Sequence, residues 1–315
     1  MEKRKKAKSK MAYVVFDVDE TLANLRTSHY FIASLKLRDQ IVSNHPYLLP
    51  FFPTSLLEQQ EEAYNMFLEA VLKEEQSDTP LGILRPGVLD VMEHLARLQQ
   101  QQKVAAVILY SNNRSLPTIQ FIRDLIHRHV GSDQLIKDCI HWGHEMRGED
   151  KIHEWSSKTW KALRTILKTG PCQALVEPKQ VYFFDDLMHM DLEDALKEQY
   201  YQVPAYECHA PLERIIAIYE GVIGKMDIST VTMMMIEVFE LGGSLDLGNI
   251  TKNDLISLLI SHRVQHTKFP EVDNGYRMMM EVVKEIEDRK RKRRYSHKVR
   301  RYTVKKDRNY YREIE

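Results

Sequence analysis

Met11-Ala12-Tyr13-Val14-Val15-Phe16 followed by Asp17-Val18-Asp19-Glu20-Thr21 is the stretch on which the fold turns. A continuous apolar run rich in β-branched and aromatic residues suits a strand buried on both faces of a parallel sheet. It stops abruptly at a carboxylate. Working outward, two further runs share this form: Lys103 to Tyr110 halts at Ser111-Asn112-Asn113-Arg114, and Val181-Tyr182-Phe183-Phe184 halts at Asp185-Asp186. Cys139-Ile140-His141 reads as a short third strand in chain order.

Between these runs the apolar spacing is helical. Leu84-Arg85-Pro86-Gly87-Val88 opens a helix with Leu89, Met92, Leu95 and Leu98 on one face, and another is expected from about Leu116 to His129. Trp155 to Lys168 is amphipathic. Residues 23 to 80 form a helical insertion, with Tyr30, Phe31, Ile32 and Leu35 at helical spacing, breaks at Pro46, Pro50 and Pro53, and a second helix over Leu56 to Lys73. Strands alternating with helices predict an α/β fold with a doubly wound parallel sheet, in which ligands bind beyond the carboxyl ends of the strands. The clusters at Asp17, Ser111 and Asp185 all fall there.

From Leu212 to Ile286 the pattern is helical without strands, and Thr251-x-x-Asp254 before Leu255 to Ile260 has the form of a capping box. The expected organisation is a basic leader over residues 1 to 10, an α/β domain over 11 to 206, a helical appendage over 207 to 288, and a basic tail over 289 to 315.

The chain of 315 residues has 45 Lys and Arg against 45 Asp and Glu, but the balance is uneven along it. Lys3 to Lys10 and Arg289 to Arg308 together hold 18 of the basic residues and face only Glu2 and Asp307, so an acidic body carries two basic ends, expected to be mobile. The second run, interleaved with Tyr295 and Tyr302, fits nucleic-acid contact through charge and stacking, a nuclear-import signal, or a solubilising tail.

Three cysteines, Cys139, Cys172 and Cys208, show neither a disulfide framework nor zinc spacing, consistent with a reducing compartment. His127, His129, His141 and His144 match no closed zinc set. Met233 to Met235 and Met278 to Met280 read as core filler. No apolar run approaches the roughly 20 residues of a membrane span, so no membrane partner is expected and the chain is read as intracellular, cytoplasmic or nuclear.

Residues i and i+2 of an extended chain share a side, so Asp17 and Asp19 are positioned to converge on one ligand as the strand opens into its loop. Two such carboxylates can divide the work of phosphoryl transfer: one attacks phosphorus, the other protonates the leaving oxygen and then activates water. Carboxylates packed against a phosphate dianion repel it unless a cation intervenes, and an all-oxygen ligand set suits Mg2+, with Asp185 and Asp186 supplying the remaining acid. Ser111 offers a hydroxyl and neighbouring backbone N–H groups for phosphoryl oxygens.

These clusters, in this order and each after a hydrophobic strand, resemble the four motifs of the haloacid dehalogenase superfamily. Asp17-Val18-Asp19-Glu20-Thr21 is similar to its first motif, Val107 to Asn113 to its second, and Phe183 to Asp191 to its fourth. Lys158 is the candidate for the third, with Lys161 as its rival. The resemblance implies Asp17 as nucleophile, Asp19 as acid and base, and Lys158 as charge neutraliser. It further implies Thr21, Ser111 and Asn112 as phosphate ligands, and Asp17, Asp19, Asp185 and Asp186 around Mg2+, with Asp191 an alternative to Asp185.

Within that superfamily, Glu20 and Arg85-Pro86-Gly87 are similar to the phosphatases of the RNA polymerase II C-terminal domain and their NLI-interacting-factor-like relatives. That implies a phosphoprotein substrate. A small metabolite, nucleotide or polynucleotide end is the alternative, with residues 23 to 80 as a lid. A catalytically inert scaffold that binds protein or nucleic acid is a reading of another class. The basic ends also resemble those of haloacid-dehalogenase-like proteins of large DNA viruses, so a viral source is one reading of them.

Overall fold

The computed structural model of the chain describes residues 11–147, 158–241, 250–261 and 273–288. The basic leader, the basic tail and Trp155 to Ser157 lie outside the described residues.

Five parallel strands form one sheet: β1 Ala12–Phe16, β2 Val104–Tyr110, β3 Ile136–Ile140, β4 Val181–Asp185 and β5 Tyr200–Gln202, in the spatial order β3-β2-β1-β4-β5. β1 is central, pairing Val14 with Val107 on one side and with Tyr182 on the other. Its five residues are all buried, which is why the run is apolar without alternation.

Alternate residues serve two cores. Val14, Phe16, Val107, Leu109, Tyr182 and Phe184 face one helical layer; Tyr13, Val15, Ile108, Tyr110 and Phe183 face the other. The first layer contains α1 His29–Leu35, α2 Leu37–Asn44, α3 Thr54–Glu75, α4 Val88–Gln100 and α5 Leu116–Val130. The second contains α6 Trp160–Thr169 and α7 Met190–Leu196. The chain thus winds outward from β1 over one face to β3, then over the other face to β4 and β5: a doubly wound α/β architecture. The crevice at such a reversal lies beyond the ends of the two strands that flank it, here β1 and β4.

Between β1 and β2 the insertion is built of α1, α2 and α3 joined by short turns, with a 3-10 helix over Pro46–Phe51 where the prolines interrupt it. After β5 come α8 Leu212–Val222, α9 Ile228–Phe239, α10 Lys252–Ser261 and α11 Asn274–Asp288, whose Ile215, Tyr219, Val231, Leu255 and Met279 join the same apolar core as Phe31 and Phe67 of the insertion. Thr251 and Asp254 form a reciprocal cap: Thr251 N donates to Asp254 Oδ2 at 2.7 Å and Asp254 N to Thr251 Oγ1 at 3.3 Å. Of the methionine groups, Met235 and Met279 are buried, whereas Met233 is 45% exposed.

Three boundaries differ from expectation. β3 begins at Ile136, because an edge strand tolerates Lys137 and Asp138 where their side chains reach solvent. β5 is too short and too polar to register in an apolar pattern, and it too is an edge strand. α6 starts at Trp160, capped by Thr159, whose Oγ1 accepts from Ala162 N, so Lys158 precedes the helix and does not belong to its first turn.

Candidate active site

Past the end of β1, Asp17 N still donates to Phe184 O at 2.8 Å, which holds Asp17 between the ends of β1 and β4. The chain then turns tightly, with Leu22 N and Ala23 N both bonded to Val18 O, and Glu20 at the apex in the left-handed region at φ 59°. The turn sends its two flanking side chains apart. Asp19 points to the end of β2: Ser111 Oγ donates to Asp19 Oδ2 at 2.9 Å, and Asn113 Nδ2 reaches both carboxylate oxygens at 3.2 and 3.3 Å. Thr21 points to the end of β4, where its Oγ1 donates to Asp186 Oδ1 at 3.2 Å and accepts from Asp186 N at 2.9 Å.

Asp17, Asp185 and Asp186 each present an oxygen, all within 4.8 Å of one another, the one such acidic or His/Cys cluster among the described residues. Lys158, 1% exposed, closes the group from the loop before α6: its Nζ donates to Asp17 Oδ1 at 2.5 Å and to Asp185 Oδ2 at 2.6 Å. Lys161 is exposed on α6. Asp185 Oδ1 accepts from Leu187 N at 2.9 Å, and His189 Nε2 lies 3.3 Å from Asp185 Oδ2. Asp191 is turned away from the group: its Oδ2 accepts from Trp160 N at 2.6 Å. Asp19, which the resemblance brings to the metal through its backbone carbonyl, directs its carboxylate to Ser111 and Asn113.

Burial and crowding set the charge states. Burial pushes the Asp17 carboxyl well above the usual range, and Asp185, Asp19 and Asp186 add to this against the pull of Lys158. Burial, then Asp185, raises Asp186 to about 6. Burial acts the same way on Asp185, but Lys158 and His189 outweigh it and hold that carboxyl low. Burial would lower Lys158, yet Asp17 and Asp185 overcome it, so the lysine stays charged. One ammonium thus serves three grouped carboxyls, Asp17, Asp185 and Asp186. All-oxygen donors short of positive charge suit a hard divalent cation.

Asn112 does not face Asp19. Its Oδ1 accepts from Arg147 Nη2 at 2.8 Å, while Arg147 Nη1 donates to Ser111 O at 3.0 Å. Arg147 is 1% exposed and lies over the Tyr110 ring. Sequence reasoning missed Arg147, Asn113 and His189. Asn113 alone had a local signal, since its place two residues after Ser111 allows the turn in which Asn113 N donates to Ser111 Oγ and Ser115 N to Asn113 Oδ1. A cavity of about 290 Å³ beside β3, lined by Arg123, Asp138, His141 and His144 among others, shares no residue with this site.

No protein-family model matches the chain, and no curated protein matches it. Among the described residues no helix is long and apolar enough to cross a membrane.

Proposed function

We propose that this chain is a Mg2+-dependent phosphomonoester phosphatase of the haloacid dehalogenase type, acting through an aspartyl-phosphate on Asp17. The observation that carries the reading is the division of carboxylates at the β1–β4 crevice: Asp17, Asp185 and Asp186 grouped with Lys158, and Asp19 held apart by Ser111 and Asn113. Asp17, Asp185 and Asp186 would hold the cation. Bound there, it would offset the mutual repulsion of carboxylates and phosphate.

In the first half-reaction Asp17 attacks phosphorus, the ester P–O bond breaks, and Asp19 gives its proton to the departing oxygen. In the second, water attacks phosphorus, Asp19 takes the water's proton, and the bond to Asp17 breaks to release phosphate. The Lys158 ammonium neutralises charge at Asp17 and the incoming phosphoryl group, and Ser111 and Thr21 supply hydroxyls to its oxygens. The buried setting strengthens each of these interactions. The favoured substrate is a phosphoprotein, a reading supported by Glu20 and Arg85-Pro86-Gly87.

The test is phosphate release from para-nitrophenyl phosphate by wild-type protein and Asp17→Asn, with Mg2+ and with chelator. Activity that requires both Asp17 and the cation is expected, followed by a preference for phosphopeptides over nucleotides and sugar phosphates. The reverse preference would favour a small-molecule phosphatase. Silence toward every phosphomonoester, with intact fold, would favour the inert scaffold.

A further inference from the structure

The Arg85 guanidinium, 2% exposed as a residue, joins three segments distant in sequence. Its Nη2 donates to Glu20 O at 2.8 Å and to Pro204 O at 2.5 Å, and its Nη1 donates to Asp273 Oδ1 at 3.2 Å. Glu20 O also accepts from Tyr206 N at 2.6 Å. The backbone beside it is pinned too, with Arg85 N on Leu22 O and Asn24 N on Ile83 O, both at 2.8 Å.

Glu20 is the residue whose left-handed backbone parts Asp19 from Thr21. A non-glycine side chain pays a steric cost in that region, and the conformation persists where surrounding contacts over-determine it. Arg85 and Tyr206, both on the Glu20 carbonyl, supply those contacts.

The start of α11 is fitted to the same guanidinium. A Cβ on Gly275 would stand 1.4 Å from Arg85 Nη1, and one on Gly87 would stand 2.4 Å from the Tyr276 ring. Asp273 Oδ1, which receives Arg85, also accepts from Tyr276 N at 2.9 Å and so fixes the first turn of α11. A residue at 273 and a helix that follows it are thereby coupled, through one buried side chain, to the loop bearing Asp19.

We infer that Arg85 is a positioning residue for the proposed reaction and that helix α11, through Asp273 and Gly275, completes the active site. Neither touches the reacting atoms; both act through the Glu20 turn, which sets where Asp19 and Thr21 point. The inference rests on the phosphatase reading for the reaction it serves, while the hold of Arg85 on the Glu20 turn stands on the geometry.

The experiment compares full-length wild type, Arg85→Lys and Gly275→Ala. A lysine retains charge but cannot hold three acceptors in one plane. Alanine raises helix propensity at 275, yet its methyl displaces the guanidinium. Both variants should lower kcat for para-nitrophenyl phosphate by about ten- to a hundredfold, the scale of a misplaced catalytic group, with KM changed less. Adding Glu20→Asn to Arg85→Lys should recover part of kcat, because asparagine accepts a positive φ more readily. Hydrogen–deuterium exchange of residues 17–23 should speed up in both single variants while peptides from β2 stay protected.

Folded variants with wild-type kcat and wild-type exchange over 17–23 would overturn the inference, as would a loss of thermal stability with kcat per folded molecule intact. If the wild type turns over no phosphomonoester, the phosphatase reading falls with the catalytic role given to Arg85, and the exchange comparison decides separately whether Arg85 and α11 hold the Glu20 turn.

Discussion

The Lys158 ammonium and the Asp17 carboxylate meet at 2.5 Å with both side chains almost wholly removed from solvent. A buried charge is tolerable only while paired, so Asp17 and Asp185 both depend on Lys158, and Lys158 keeps a partner while either remains. Lys158→Met leaves Asp17 and Asp185 facing each other without the ammonium between them. It should destabilise the fold by about 3–5 kcal/mol, read from urea unfolding, and reduce turnover at least about a hundredfold. A stable, active Lys158→Met protein would remove this lysine from the proposed chemistry.

Asp17→Asn separates chemistry from stability. Burial and three neighbouring carboxylates already raise the Asp17 carboxyl, so a neutral isostere relieves crowding while Lys158 keeps Asp185. We expect an unchanged or raised melting temperature together with turnover below a tenth of wild type. Residual activity above that level would rule out Asp17 as the nucleophile.

Asn113 donates to both oxygens of Asp19, and with Ser111 it fixes that carboxylate toward the end of β2. Asn113→Ala frees the acid to rotate. A fall in kcat of about tenfold is expected, with the smaller change in KM. Steady-state kinetics on a small phosphomonoester decides it; an effect confined to KM would make Asn113 a substrate-binding residue instead.

Glu75, at the end of α3, accepts N–H donors from Gly82, Ile83 and Leu84, immediately before Arg85. Burial nevertheless raises its carboxyl from 4.5 to about 7. The folded state then holds this proton more tightly than the unfolded state, so its contribution to stability is full below about pH 4.5 and declines as pH rises through about 7. The total is about 3 kcal/mol for a shift of that size. The difference in unfolding free energy between wild type and Glu75→Gln, followed from pH 4 to 8, should move in favour of the variant as pH rises. A difference that stays flat across that range would contradict the assignment.

Sequence alone determined the three central strands and the helical layers on both faces, since burial on two sides forces an uninterrupted apolar run and an amphipathic helix must turn one stripe inward. β1, β2 and β4 with Asp17, Ser111 and Asp185 at their ends were legible for that reason. Of the edge strands, β3 was legible only at its end and β5 not at all, because half of an edge is solvated and its pattern is diluted. Lys158 could be named from sequence but not separated from Lys161, since only the packing of the loop before α6 buries one ammonium between Asp17 and Asp185 and leaves the other in solvent. The same holds for Arg147 on Ser111 and Asn112, and for Arg85 bridging Glu20, Pro204 and Asp273. A guanidinium chooses acceptors by geometry across segments 35 to 188 residues apart, and no local spacing encodes that choice; tertiary structure decided it.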